Sequence, residues 1–384
     1  MEEKQRAVSN HQDHLEHASD GRKYMYACTQ AAKEALNNNT ELGAHAPMTG
    51  PSVAHYCFDY AQQIHYPCDP HQPGPIFFKT PRKCGIFGVC MPAIPVQVNF
   101  LIDEAVMNGK GANPVISYFH YFLENYGLGE RKLVIHADNC SGQNKNNAMM
   151  KYLLWRVETG RNDHVEINFL VAGHTKFCCD FCFGWLKKQI RRTQVSSLRE
   201  IQNAVLKSST SNRAQLVGAQ DGSVIVPVLD WSSFLEGNDI KQLLKQHQFT
   251  MSATNPGIIT TKLHQSSVET TSHQIWSAIP EGMPETIEPP GLDYDRRVYL
   301  AKHIREFCTE ETRDLVCPLV PDDESIPSTS KHCKESKSAV DVTKKSTVKK
   351  RIVKKAGKKR KESRESDESD EYTPQPTRRP RAKK

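Results

Sequence analysis

Residues 53–206 alternate strand-like and helix-like periodicity in an order that few sheet architectures accept. Three runs rich in aromatic and β-branched residues come first: VAHYCFDYAQQIHY, KCGIFGVCMPAI and VQVNFLID. The last sets Val96, Val98, Phe100 and Ile102 against Gln97 and Asn99. GKGAN then supplies a turn and Pro114 stands where a helix can begin. Val115, Ile116, Phe119, Phe122, Leu123 and Tyr126 recur at helical spacing until Gly127 and Gly129. A fourth strand, LVIHAD, ends at Asp138. The cap-rich NCSGQNKNN leads into AMMKYLLWRVETG, where Met149, Leu153 and Val157 share a stripe. VEINFLVAG is a fifth strand, and one long amphipathic pattern beginning near Asp180 closes the segment.

Strand, strand, strand, helix, strand, helix, strand, helix is the layout of a ribonuclease-H-like α/β fold. Its mixed sheet has three antiparallel strands, and helical crossovers add the fourth and fifth in parallel. A fold carries no function by itself. The chemistry is expected from Asp59 within the first strand, Asp138 at the end of the fourth and Asp180 at the start of the closing helix, three places that this topology brings together. An aspartate between Phe58 and Tyr60 is costly to bury without a partner. Three carboxylates in one cleft raise one another's pKa unless a cation neutralises them. Two Mg²⁺ ions, or Mn²⁺ in their place, suit such oxygen ligands and phosphodiester displacement. Asp103, Glu104 and Glu200 remain alternatives for the third ligand.

Charge and composition divide the rest of the chain. Residues 331–384 hold 20 Lys/Arg and 8 Asp/Glu, a net of +12, so residues 1–330 carry −5 of the total +7. A nucleic-acid surface on the folded part must therefore be local, and KKQIRRTQVSSLR offers it through Lys187, Lys188, Arg191 and Arg192. Residues 1–52 are expected as an N-terminal helix around 24–36 and a linker, 53–206 as the core and 207–282 as a small β-rich appendage. Residues 283–318 follow as a Pro-rich connector and C-terminal helix, with 319–384 as a disordered Lys/Arg-rich tail. Its clusters KKRIVKKAGKKRK and RRPRAKK read as nuclear import signals. No apolar run is long enough to span a bilayer, and no secretory signal opens the chain, so no membrane partner is expected. The twelve cysteines, scattered through apolar stretches, read as reduced core residues. His174, Cys178, Cys179 and Cys182 crowd four donors into nine residues, too tightly to surround a metal tetrahedrally, so no zinc is expected.

The runs FDYAQQIHYP, TPRKCGIFGVC, NFLIDEAVMNGKGAN, HADNCSGQNKNN and AGHTKFCCDFCFG together resemble an uncharacterised, transposon-associated domain family of animal genomes. VLDWSSFL and REFCTEETRDLVCP are similar to that family's carboxyl-terminal part, so the resemblance spans roughly residues 11–318. It implies a DD(D/E)-type transposase or integrase core, with Asp59 in FDYAQQ, Asp138 in HADN and Asp180 in GHTKFCCDF as its acidic positions. Around the second acid, Asn139, Gln143, Asn144, Lys145 and Asn147 either hold a phosphate, orient Asp138 or cap the following helix. His174 either contacts the scissile phosphate or assists proton transfer as a catalytic residue, or shapes a turn. DNA is the implied partner, with a homo-oligomer left open. A fold retained for nuclear DNA or chromatin binding without turnover is the alternative to a metal-dependent enzyme.

Overall fold

Aromatic and β-branched residues dominate the first three runs, and each becomes a strand. A computed structural model describes residues 2–321 except Asn38, Asn39, Gln72, Pro73, Ala172 and Thr175. After helix α1 (Glu2–Ala35), strands β1 (Val53–Tyr66), β2 (Arg82–Met91) and β3 (Val96–Asp103) form an antiparallel meander. Helix α2 (Ala112–Asn125) returns the chain so that β4 (Lys132–Ala137) lies parallel to β1. Helix α3 (Asn147–Glu158) does the same for β5 (His164–Phe169), parallel to β4. Helices α4 (Cys178–Ile190) and α5 (Leu198–Ser208) follow. The central strand order is β5-β4-β1-β2-β3 within a mixed α/β architecture.

Residues 207–282, expected as a small β-rich appendage, contribute four strands to the same sheet. The outer strands β3 and β5 would otherwise present open rows of backbone donors and acceptors. Strand β6 (Asn212–Leu216) pairs with β3 in parallel. β7 (Val228–Leu229) and helix α6 (Trp231–Phe234) follow, and then β8 (Gln248–Ser252), β9 (Ile258–Lys262) and β10 (Thr271–Gln274) extend the β5 edge, making nine strands. β11 (Thr286–Ile287) pairs with β7 in a small second sheet. The described residues fall in one compact unit.

Period-two alternation along the strands sends side chains to two cores, one on each face of the sheet. Tyr56, Phe58, Phe87 and Ile135 pack under α2 and α3, with Phe119, Leu153, Trp155 and the α6 residue Trp231 above them. Each fully buried apolar side chain of this size contributes roughly 1.5–3 kcal/mol. The opposite face carries Cys57, Ile86, Cys90 and Leu101 beneath Phe183, Leu186, Ile201 and Val205 of α4 and α5. Helix α1 lies on that face too: Thr29 Oγ1 is 3.0 Å from His55 Nδ1, and Tyr24 Oη donates to Glu166 Oε1 over 2.6 Å.

Three expected helices differ in extent. The N-terminal helix runs from Glu2 rather than from residue 24, held through small buried residues, Ala18, Gly21 and Ala32, which leave no apolar stripe to read. The closing helix is two helices, because Val195 leaves the helical path to exchange backbone hydrogen bonds with Cys68 at 2.8 and 2.9 Å. Helix α5 restarts in a reciprocal cap, Glu200 N–H donating to Ser197 Oγ and Ser197 N–H to Glu200 Oε2. Residues 293–313 break into α7 (Tyr294–Tyr299), a π turn over Leu300–Ile304 and a 3₁₀ turn over Arg305–Phe307, before α8 (Arg313–Val316). The basic tail from residue 322 onward lies outside the described residues, and no helix among those described is long and apolar enough to cross a membrane.

Candidate active site

The alternation that buries Tyr56 and Phe58 under α2 and α3 turns Cys57 and Asp59 to the other face of β1, toward α4. β1 and β4 run in parallel with Cys57 level with His136, and two residues further along this register Asp59 comes beside Asp138, just past the end of β4. Across β1 and β2, Asp59 pairs with Gly88. A Cβ at that position would come within 2.7 Å of the Phe183 ring, so glycine allows α4 to lie close here and bring Asp180 over the sheet.

The three carboxylates share one field. Burial, then the charge of Asp138, and more weakly that of Asp180, push the Asp59 carboxyl up to about 7 against the pull of the Tyr60 N–H. Each acid is turned to a local donor. Asp59 Oδ1 accepts from Tyr60 N at 2.7 Å, and Asp138 Oδ1 from Cys140 N at 3.0 Å and Asn144 Nδ2 at 2.5 Å. Asp180 Oδ2 accepts from Phe177 N at 2.8 Å, capping its own helix. Among the described residues the second oxygen of each carboxylate accepts no hydrogen bond, and no cation is paired with any of the three. One oxygen of each acid is thus held by a backbone or amide donor. No group of three His, Cys, Asp or Glu side chains among the described residues is positioned to hold a metal ion. The donor set of three carboxylates with free oxygens is nonetheless of the hard, anionic kind that fits Mg²⁺ or Mn²⁺.

The three alternative acids are engaged elsewhere. Asp103 is buried against Arg82, whose Nη2 and Nε reach its two oxygens at 2.5 and 3.0 Å, while Tyr66 Oη and Ala105 N also donate to it. Glu104 takes a bidentate pair from Arg296 at 2.8 and 2.9 Å. Glu200 caps α5.

The polar residues after β4 divide by contact. Asn144 is buried and holds Asp138, and Asn139 ties the loop to Leu170 O while accepting from Lys145 Nζ at 2.9 Å. Lys145 is buried with its ammonium 5.2 Å from the Phe169 ring centre, and burial pulls its pKa down to about 8. Asn147 is not beside the acids: its Oδ1 accepts from Ile240 N at 2.9 Å and docks the start of α3. Gln143 is half-buried in the turn, its N–H donating to Cys140 O. His174 places its ring 5.2 Å from that of His14 on α1. Lys187, Lys188, Arg191 and Arg192 are exposed, and Lys187 and Arg191 line a cleft of about 240 Å³ with Gln62, Gln63 and His65 of β1.

Cys179 and Cys182 face the sheet, the Cys179 thiol donating to Cys57 O at 3.4 Å, and burial pushes the Cys179 and Cys90 thiols well above their usual range. All the described cysteines are free thiols; Cys333 lies outside the described residues. A group absent from the sequence reading is the histidine stack beside the loop after β5. His17 and His264 lie 3.7 Å apart and nearly parallel, with His247 5.3 Å from His264. These rings come from distant segments, and no local spacing announces them.

The sequence model of a family described as a domain of unknown function (DUF7869) matches residues 97–289, which include Asp138 and Asp180 but not β1 with Asp59. No curated protein matches the chain, and no solved structure does.

Proposed function

This chain belongs to the DUF7869 family, and from that premise and its acid cluster we propose that it is a transposase-derived DNA-processing protein with a ribonuclease-H-like core. Its activity is metal-dependent phosphodiester cleavage or strand transfer. The observation that carries this reading is the Asp59 carboxyl, pushed up to about 7 by burial and by Asp138 and Asp180, with no cation paired with it among the described residues. A half-buried carboxyl pushed up by neighbouring acids makes a candidate for a site completed by something from outside. The strand order β5-β4-β1-β2-β3, with its two parallel crossovers, supports the fold half of the proposal.

Asp59, Asp138 and Asp180, which form no metal-holding group in the arrangement described, would have to turn their free oxygens toward one another to hold two Mg²⁺ or Mn²⁺ ions. Such ions, when bound, supply stabilisation of the attacking and departing oxygens in phosphodiester displacement. The remaining work falls to the chain. Asn144 and the Cys140 N–H fix the Asp138 carboxylate so that its free oxygen keeps one direction. The Lys145–Asn139–Leu170 connection keeps the loop after β4 in place beside β5. Lys187 and Arg191, on the exposed side of the helix that carries Asp180, would receive the DNA phosphates. The tail clusters KKRIVKKAGKKRK and RRPRAKK support nuclear import, which a fluorescent fusion with and without residues 349–384 would test.

The test is a nicking assay on branched and linear DNA in Mg²⁺ and in Mn²⁺, with Asp138→Asn alongside. The proposal predicts ion-dependent cleavage that the variant lowers roughly a hundredfold or more. DNA binding by both proteins, independent of divalent ions and without cleavage of any substrate, would overturn it in favour of a fold retained for binding.

A further inference from the structure

Helix α4 presents two parallel rows to solvent. Residues spaced by three or four share a helix face, so Phe181, Trp185, Lys188 and Arg192 form one row, the last just past the helix end. Asp180, Gly184, Lys187 and Arg191 form the row beside it. The opposite side of the helix, Cys179, Cys182, Phe183 and Leu186, is buried on the sheet. Phe181 and Trp185 are 68% and 46% exposed, far more than packing on the sheet would leave them, and nothing within 4 Å would meet a Cβ at Gly184 between the rows. None of the four cations has an ion-pair partner among the described residues. Two uncovered rings followed, toward and just past the C-terminal end of the helix that carries Asp180, by four cations unpaired among the described residues match a ligand that is polyanionic and has flat apolar faces.

We propose that this face of α4 binds an unpaired DNA strand, its bases stacked on Phe181 and Trp185 and its phosphates on Lys187, Lys188, Arg191 and Arg192, and leads it to Asp180. Four residues of helix advance about 6 Å, whereas stacked nucleotides rise about 3.4 Å along a duplex strand, so adjacent bases reach the two rings only from a stretched strand. A duplex hides its base faces and leaves the rings without a partner. The choice of DNA rests on the proposed function; stacking on exposed rings along a cationic track is sequence-tolerant and needs no divalent ion.

The protein carries its own reporter, because Trp155, Trp231 and Trp276 are buried and Trp185 is the exposed tryptophan. The experiment uses the full chain in EDTA, so that cleavage plays no part. It follows tryptophan fluorescence and the anisotropy of a labelled oligothymidylate, with a duplex and phosphatidylserine vesicles as the competing ligands. Saturable quenching by oligothymidylate, with weaker binding of duplex, is the expected result. Trp185→Ala should weaken binding roughly 5- to 100-fold while Trp185→Phe keeps most of it. Four phosphate contacts predict a log–log salt slope of about −2.8. Lys187→Gln with Lys188→Gln should roughly halve it. Unchanged oligothymidylate affinity in a folded Trp185→Ala protein, equal or tighter duplex binding, or preference for the vesicles would each overturn the proposal. None of these outcomes bears on the Asp138→Asn cleavage result, so the two readings fail separately.

Discussion

Asp103 and Asp59 are strand carboxylates on the same sheet with opposite treatment. Asp103, at the end of β3, is buried with Arg82 on both oxygens and Tyr66 and Ala105 N–H donating besides. Asp59, in β1, receives one backbone N–H and faces two further acids. Asp103 has an arginine on both of its oxygens, whereas among the described residues no cation is paired with Asp59. Burial of a charge therefore does not mark function here. Under the proposed function, what sets Asp59 apart is that no cation among the described residues answers it.

The largest effect expected from this contrast is Arg82→Met, which strands Asp103 as an unpaired buried charge and should cost about 3–5 kcal/mol of unfolding free energy. A denaturant titration checks it, and wild-type stability would mean that Arg82 is not what compensates Asp103. Asp59→Asn should move stability the other way at pH 8. The folded Asp59 carboxyl titrates near 7, above its ordinary 3.8, so the stabilisation that goes with its protonation is complete below about 4 and is lost as the pH rises through about 7. Melting curves should show wild type gaining on Asp59→Asn as the pH falls across that window, and parallel profiles for the two proteins would break the contrast. The smallest effect belongs to a carboxylate answered by backbone N–H groups alone. Ser197→Ala, removing half of the cap it shares with Glu200, should cost about 1 kcal/mol and leave the pH dependence unchanged.

Local pattern made much of this legible. The order of strands and helices from β1 to α5 follows from periodicity, and so does the face of β1 on which Asp59 stands. The cap that splits the closing helix was also written in the chain, as Ser197 with Glu200 three residues on; an amphipathic stripe running through it hid the break. Other features were not local. β6 and β8–β10 look like a separate unit in sequence because edge pairing is decided by which strand lies open, not by their own composition. Asp103 became structural through Arg82, a partner that only the β2–β3 pairing brings to it. Phe181 and Trp185 were visible at helical spacing, but nothing in the sequence said that this side of α4 would be the uncovered one.

The central claim is that Asp59 waits for a cation from outside the chain, and titrating Mg²⁺ into the wild-type protein and Asp59→Asn by calorimetry near pH 7 tests it most directly. The account predicts saturable binding in wild type with proton release, because a bound cation pulls the Asp59 carboxyl back below the working pH, and loss of both in the variant. Binding and proton release that are the same in both proteins, or no binding in wild type, would contradict it.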